Sequence, residues 1–479
     1  MASTGLLLPL VLALASGPSA AIAPQSATIV AAPTPVITIP LPSERPQAIS
    51  AATDPFLRAL ADRSGAADFT ARTSTAAEAL PILGERAQDV LAAGAARDQA
   101  RSRLFPGIGV DVDVIAARTI TRDLQSPLTQ VENLSPLRRN DVIGSVDQLL
   151  LDFGATSARI RAGNAATDAA RADLDAERNA ALLQLVATWY EVLAAQTATA
   201  LAQGNVARLQ SLADGAALRF ERGVDSGGDV ARARSYLAAA QSQQVGFERR
   251  LRSAEARFVE LFGRLPGAVA RPDIGAETAP GTDTVRPELV AARADERAAS
   301  AVLDAAKSDR LPRIDARVTS AGYDVLRGST PAYDVRALVT LRQRFSTGGG
   351  EAARVAELTA RRRAASLAVD RVAAATDRER AVAAADVDGL ADSLPPLEAA
   401  YLDSRRARDL FAEQFRVSRG TLFDVLRAER DLLEAALALA RANYDLDIAR
   451  FTLLARSGGL IERFGMTPAV IADNPETGR

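Results

Sequence analysis

One tripeptide in this chain copies a catalytic signature. Asp152-Phe153-Gly154 matches the metal-binding tripeptide of protein kinases. The glycine-rich phosphate loop and the catalytic-loop histidine that would make it work have no counterpart, since the chain contains no histidine at all. Cysteine is also absent. Nucleophile systems built on Ser-His-Asp or Cys-His, thiolate or imidazole zinc sites and a histidine pH switch are all excluded. No catalytic role, cofactor or metal is expected. Two other carboxylates, Asp229 and Asp424, recur in matching surroundings. Each falls near a helix start, where the helix dipole favours a negative charge whatever else the residue does.

The elements that would position these groups are long. The chain has 479 residues, 57 basic and 59 acidic, with a net charge of -2 that argues against a nucleic-acid partner. Aromatics make up only 4%, and alanine, leucine, arginine and glutamate suggest closely packed helices. No proline occurs between Pro136 and Pro266, between Pro331 and Pro395, or between Pro396 and Pro468. Helices of about 100 Å fit into Gly154 to Phe220 and Gly349 to Phe415. Pro395-Pro396 should kink the second of them.

The two halves align at an offset of 195 residues: Gly154 with Gly349, Phe220 with Phe415, Asp229-Val230 with Asp424-Val425, and Leu251 and Ala254 with Leu446 and Ala449. The unit is far larger than a solenoid repeat, so the chain reads as a tandem duplication. In the second half Val425, Leu432, Leu439, Leu446 and Leu453 share one heptad position, and Ala428, Ala435, Ala442 and Ala449 share another. Period seven signals coiled-coil packing, with alanine allowing close helix axes. On heptads alone, a rod or spacer remains open.

Each half also carries two runs of period-two alternation. In the first, Ile108, Val110, Val112 and Val114 flank Asp111 and Asp113, and a second run covers Val142 to Leu151. In the second half the runs are Ile314 to Tyr323 and Tyr333 to Leu341. Transmembrane barrel strands of roughly 9 to 11 residues with a polar lumen have this pattern. A soluble, half-buried sheet would share it. Phe105, Phe153 and Phe345 stand at the ends next to the helices and Tyr323 and Tyr333 at the opposite ends, as two interfacial aromatic belts require. Four strands cannot close a barrel, and an open edge in lipid leaves backbone groups unsatisfied. A membrane reading therefore requires several copies of the chain. Gly154, Gly348 and Gly349 mark the turns from strand to helix.

At the N-terminus, Leu6 to Ala15 have the length of a signal-peptide core, and small residues through Ala23 offer a cleavage site. No basic residue precedes the run, and a buried helix is the alternative. The expected organisation is a signal peptide over 1–23 and a mobile Pro/Ala-rich linker over 24–73. The first repeat covers 74–263, with a helix, strands about 106–121 and 140–153, and long helices 154–222 and 226–263. An inter-repeat linker, 264–286, leads to the second repeat at 287–457, with a helix, strands about 312–325 and 332–345, and long helices 349–417 and 420–457. A tail follows at 458–479. The linker and tail either form a collar or hang free.

From about residue 75 to 465 the chain resembles the TolC-like outer-membrane efflux and secretion channels. The resemblance rests on Leu150-Leu151-Asp152-Phe153-Gly154 and Phe345-Ser346-Thr347-Gly348-Gly349, on Trp189-Tyr190-Glu191-Val192-Leu193 and on Leu261-Phe262-Gly263. Its most specific segment runs from Phe415-Arg416-Val417 through Gly420-Thr421-Leu422-Phe423-Asp424-Val425-Leu426. It implies a mainly α protein with membrane β-structure: a homotrimer with a 12-stranded barrel in the outer membrane of a Gram-negative bacterium, continued by a periplasmic helical tunnel. Asp424 matches a constriction-lining aspartate, while Arg427 replaces an acidic residue often found three positions later. Such a ring would be closer to neutral than an acidic one. Asp229, Phe220 and Phe415 are the further gate residues implied. The partners implied are outer-membrane lipid, a periplasmic adaptor and either an ABC exporter or a proton-driven pump in the inner membrane. Val224 to Val230 and Leu453 to Leu460 look most like the branch secreting large adhesins by the type I route. Multidrug efflux is the alternative within the family, and a coiled-coil structural protein without a pore is the alternative outside it.

Overall fold

The computed structural model describes residues 37–43, 45–116, 138–273, 286–323, 325, 332–343, 345 and 347–469. The signal-like run 1–23, residues 24–36, the strand positions 117–121 and 324, and residues 274–285 and 470–479 lie outside them.

Elements follow in the order α1 (Pro55–Ala61), α2 (Ala66–Ala79), α3 (Pro81–Ser102), β1 (Gly107–Ala116), β2 (Arg138–Leu151), α4 (Ala155–Glu221), α5 (Gly227–Phe262), α6 (Pro287–Ser308), β3 (Arg313–Tyr323), β4 (Ala332–Arg342), α7 (Gly350–Arg416), α8 (Leu422–Arg456) and α9 (Leu460–Arg463). The duplication is visible at once: a 22-residue helix, two strands, a 67-residue helix and a helix of 35 or 36 residues occur twice. At 1.5 Å per residue α4 and α7 each reach about 100 Å.

The four strands form one antiparallel sheet in the order β1-β2-β3-β4. The helices pack around a main core in which Trp189 and Tyr190 of α4 meet Phe258 of α5, Phe451 of α8, Phe464 beyond α9 and Phe69 of α2. Phe69 sets its ring edge-on to Trp189 at 5.1 Å between centroids, a favoured aromatic geometry. The Trp189 indole donates to the Ala270 carbonyl at 3.1 Å.

The heptad seam of α8 is buried as expected at Val425, Leu432, Leu439 and Leu446, but the buried face is wider than a seam. Leu426, Leu433, Ala436, Ala440, Tyr444, Asp447 and Phe451 are buried too. A helix gripped on one side needs only the narrow stripe; α8 packs against both α7 and α4.

The mobile-linker expectation for 24–73 fails over its described part. Residues 46–48 form a 3-10 turn, and α1 and α2 bury Phe56, Leu60, Phe69 and Thr73. Asp54 caps α1 by accepting from the Leu57 amide at 3.0 Å, and this satisfies a helix-end donor. The physical reason is sparse anchoring. A few large side chains, spaced by alanine and polar residues, dock onto helices remote in sequence. The start of the inter-repeat linker and of the tail is likewise packed, with Val269, Arg271, Leu460, Ile461 and Phe464 buried. Arg271 and Arg63 both pair with Asp447, at 2.6 and 3.1 Å, and the Tyr190 hydroxyl lies 3.3 Å from the same carboxylate. Burial and the Asp447 charge push the Tyr190 phenol well above its ordinary pKa.

Candidate functional site

Register fixes which residues share a face of the sheet. Ile108 lies opposite Val146, Val110 opposite Gly144 and Val112 opposite Val142. The row continues from Val146 to Val318 and from Val318 to Ala337, with Ser320 opposite Val335 and Ala316 opposite Val339. This face is thus largely apolar, interrupted by Asn140, Gln148 and Ser320. Its side chains are open to the surroundings, with Ile108 at 79%, Val114 at 77% and Val335 at 73%. A band of exposed aliphatic residues this wide has no place in water; in lipid it is the expected surface. The opposite face carries Asp111, Asp113, Asp147, Asp315, Arg317, Asp334 and Arg336. Asp147 and Arg317 stand directly across the β2–β3 pair and form an ion pair. Among the described residues the outer edges of β1 and β4 have no partner strand. No helix among them is long and apolar enough to cross a membrane.

Of the expected belt residues, Phe105, Phe153, Phe345 and Tyr333 are exposed, and Tyr323 is half-buried at the end of β3. The strand-to-helix turns are built as expected at Gly154 and Gly349, both left-handed helix caps with φ of 96° and 72°. Gly348 has no left-handed conformation; its counterpart Phe153 does, at φ 52°. The Asp152 carboxylate receives the amides of Gly154 and Thr156 at 3.2 and 2.6 Å. The kinase-like tripeptide is therefore a helix cap, which accounts for its aspartate without any metal.

At the far end of the helices lie two matching turns. Asp229 and Ser226 form a reciprocal capping box at the start of α5. Ser226 donates to the Asp229 carboxylate from its amide at 3.2 Å and from its hydroxyl at 2.7 Å, and these bonds hold that carboxyl below its usual pKa. Thr421 and Asp424 repeat the scheme on α8, with the Asp424 amide donating to Thr421 Oγ1 at 3.2 Å. Arg427 turns to Asp431, at 3.8 Å, one helical turn on. Phe220 is half exposed beside its own turn, where a Cβ on Gly227 would meet its ring. Phe415 packs against the cluster formed by α4, α5 and α8, which includes Leu209, Ala213, Val230 and Leu426. Only Phe415 of the expected gate residues is thus drawn across to the other coil.

Several contacts between the coils were not legible beforehand. The Arg219 guanidinium lies 4.7 Å from the Phe415 ring centre and Arg232 lies 4.9 Å from that of Phe423, both within cation–π range. Glu429 of α8, only 1% exposed, receives Arg208 of α4 at 3.0 Å and Arg408 of α7 at 3.4 Å. A charge on the buried face between Leu426 and Leu433 was the available signal.

A membrane-facing sheet continued by two long helical hairpins is a channel subunit's architecture. The sequence model described as outer membrane efflux protein matches residues 73–264 and 284–459. The chain belongs to this family. It is a TolC-like transport channel protein of the outer membrane, extending into the periplasm, and the family is one of channels rather than enzymes. The chain is 26% identical over 337 residues to the outer membrane efflux protein BepC of Brucella suis, covering 65% of this chain and 71% of BepC. It is 28% identical over 350 residues to protein CyaE of Bordetella pertussis, covering 68% and 72%. The solved outer membrane channel CmeC of Campylobacter jejuni superposes with a TM-score of 0.70 at 14% identity, over 85% of this chain and 88% of CmeC. That likeness shows a shared fold.

Proposed function

We propose that this outer-membrane efflux family protein is a passive export duct made of three copies of the chain. The observation that carries this reading is the four-stranded sheet with a largely apolar outer face and, among the described residues, two unpartnered edges. Pairing β4 of one copy with β1 of the next removes every edge in lipid, and three copies give 12 strands, enough for a lumen. The acidic and basic face then lines the pore, and the 67-residue helices carry it into the periplasm as a tunnel. The constriction lies at the turns bearing Asp229 and Asp424, with Phe220, Phe415 and Arg427 beside them. An adaptor and an inner-membrane machine supply engagement and energy.

Type I secretion of a large adhesin through an ABC exporter is the substrate reading supported by the tip segment Val224 to Val230 and by Leu453 to Leu460. Drug efflux with a proton-driven pump is the second reading, favoured by the efflux description of BepC. Heat-modifiable trimers in outer-membrane fractions and steady conductance in planar bilayers are the expected results. A water-soluble monomer without current would overturn the duct. Loss of adhesin secretion, with unchanged drug susceptibility, on deletion of the gene separates the two cargoes.

A further inference from the structure

Below Pro395-Pro396, α7 is seated unlike any other part of the helical body. Each proline lacks the amide that would close the helix to the preceding turn, so the backbone is weakened there. From that point to its end at Arg416, the fully buried residues of α7 are Tyr401, Arg405, Arg408 and Asp409. No aliphatic side chain is among them. Three of the four bond directly to the N-terminal segment and the fourth, Asp409, receives its backbone. Tyr401 and Arg405 hold the Asp54 carboxylate, with the Tyr401 hydroxyl at 3.2 Å. Arg408 donates to the Pro40 carbonyl at 2.8 Å, and Asp409 accepts the Ser43 amide at 3.0 Å. The half-buried neighbour Arg406 adds a bond to the Ile49 carbonyl at 2.9 Å. Residues 40–43 and 45–54 therefore lie along α7 as a strap running antiparallel to it. Arg408 carries the grip onward to Glu429 of α8, which in turn holds Arg208 of α4. Beyond the strap a cavity of about 930 Å³ opens, bordered by Leu41, Arg208, Arg219, Glu413 and Phe415.

Water can replace hydrogen bonds and ion pairs on opening, whereas an apolar contact has no such substitute. The strap buries only Pro46 and Ile49 as apolar side chains, and Leu397 and Leu402 of lower α7 pack at the edge of the main core; a segment whose grip is mainly polar, below a weakened point, is suited to reversible release. We propose that residues 40–54 are a latch: docked, they pin lower α7 against α8 and α4; released, they free the segment below Pro395-Pro396 to swing away and widen the tunnel end. The proposal rests on the duct reading for its consequence, but its mechanics do not depend on it.

The test uses the full-length trimer, comparing wild type with Asp54→Ala/Asp409→Ala and with Ser43→Pro. The last deletes one strap amide and leaves every buried side chain in place. Amide exchange over residues 397–416 is expected to quicken about tenfold in the double variant and less in Ser43→Pro, with the facing part of α4 at 200–215 unchanged. Planar-bilayer conductance is expected to rise several-fold in the same order. In this cysteine-free chain, Pro42→Cys with Ala412→Cys bridged by a bismaleimide is expected to hold conductance at or below the wild-type level. Intact trimers with unchanged exchange over 397–416 would overturn the latch, whatever the current. Faster exchange with no current from any variant would leave the latch standing and remove the duct.

Discussion

The long helices α4 and α7 are equal in length and equivalent in the duplication, yet the protomer uses them in opposite ways. α4 is buried along most of its course, at Leu174, Leu182, Leu185, Trp189, Val192, Leu201 and Leu209 among others. α7 fully buries only Leu358, Thr376, Ala383 and the four residues held by the strap. Their partners reverse the bias: α8 is widely buried, and α5 only at Val230, Ala233, Ala240, Ala254 and Phe258. The protomer thus has an inner pair, α4 and α8, and an outer pair, α5 and α7. Leu367 and Val382 of α7 and Val245 of α5 remain exposed, where the proposed three-copy duct would cover them with sister copies. Duplication supplied two like hairpins; substitution made one helix of each into core.

The contrast is broken most directly at Trp189. Trp189→Ala is expected to cost about 3–5 kcal/mol, because a fully buried indole is lost. Leu367→Ala on α7, a side chain 62% exposed, is expected to stay within about 0.5 kcal/mol for the protomer. Thermal melts in detergent compare the two, and a large effect at Leu367 would show that α7 is seated in the protomer after all. The sheet, by contrast, should treat both repeats alike. Val110→Arg in β1 and Val335→Arg in β4 each place a charge on the lipid face at about 2–4 kcal/mol. Both should abolish membrane-assembled trimers on unheated gels, while Asp334→Asn on the opposite face should not.

The two tip turns offer a finer comparison. Gly223 and Ser418 are equivalent, and both are left-handed, with φ of 75° and 58°. A side chain in that region costs roughly 1 kcal/mol or more. Gly223→Ser should therefore destabilise, and Ser418→Gly should stabilise or be neutral, each by about 1 kcal/mol at most in denaturant titration, since glycine also loses more freedom on folding. The smallest effect concerns pH at the first tip. The Asp229 carboxyl is held below the ordinary carboxylate value of 3.8 by its bonds from Ser226. A depressed folded pKa means the cap is fully present above that value and is lost as pH falls through the folded one. Amide exchange in the first turn of α5 should stay protected at pH 4 and rise only on further acidification, and Ser226→Ala should remove the difference.

Much of this was readable from the residues because it rests on local periodicity. Alternating Ile108, Val110, Val112 and Val114, proline-free runs and the Val425-to-Leu446 heptad each report their own element. Capping at Ser226-Asp229 and Thr421-Asp424 was readable for the same reason. What escaped was tertiary. Asp54, Phe56 and Phe69 lie in a stretch whose composition looks unstructured, and their partners Tyr401, Arg405 and Trp189 are more than a hundred residues away. An aspartate before proline, followed by Phe56 and Leu60 four residues apart, was the local sign of α1. The Glu429 node was hidden differently, since a glutamate among leucines shows that something must neutralise it without showing that two other helices do. At Pro395-Pro396, where a kink is expected, the helix runs through both residues, because neighbouring turns keep their bonds when two are lost.

The join between the halves is itself a strand pair. β2 meets β3 in the same antiparallel manner as β1 meets β2 and β3 meets β4, with Asp147 facing Arg317 across the boundary. Apart from a register shift between Leu149 and Leu151, the ladder across this boundary pairs as it does within each half, and a strand of the same sequence would pair alike whichever polypeptide carried it. In the proposed three-copy ring, a gene shortened to a single half would need six products to complete the circle, and fusing the halves trades that sixfold encounter for a threefold one.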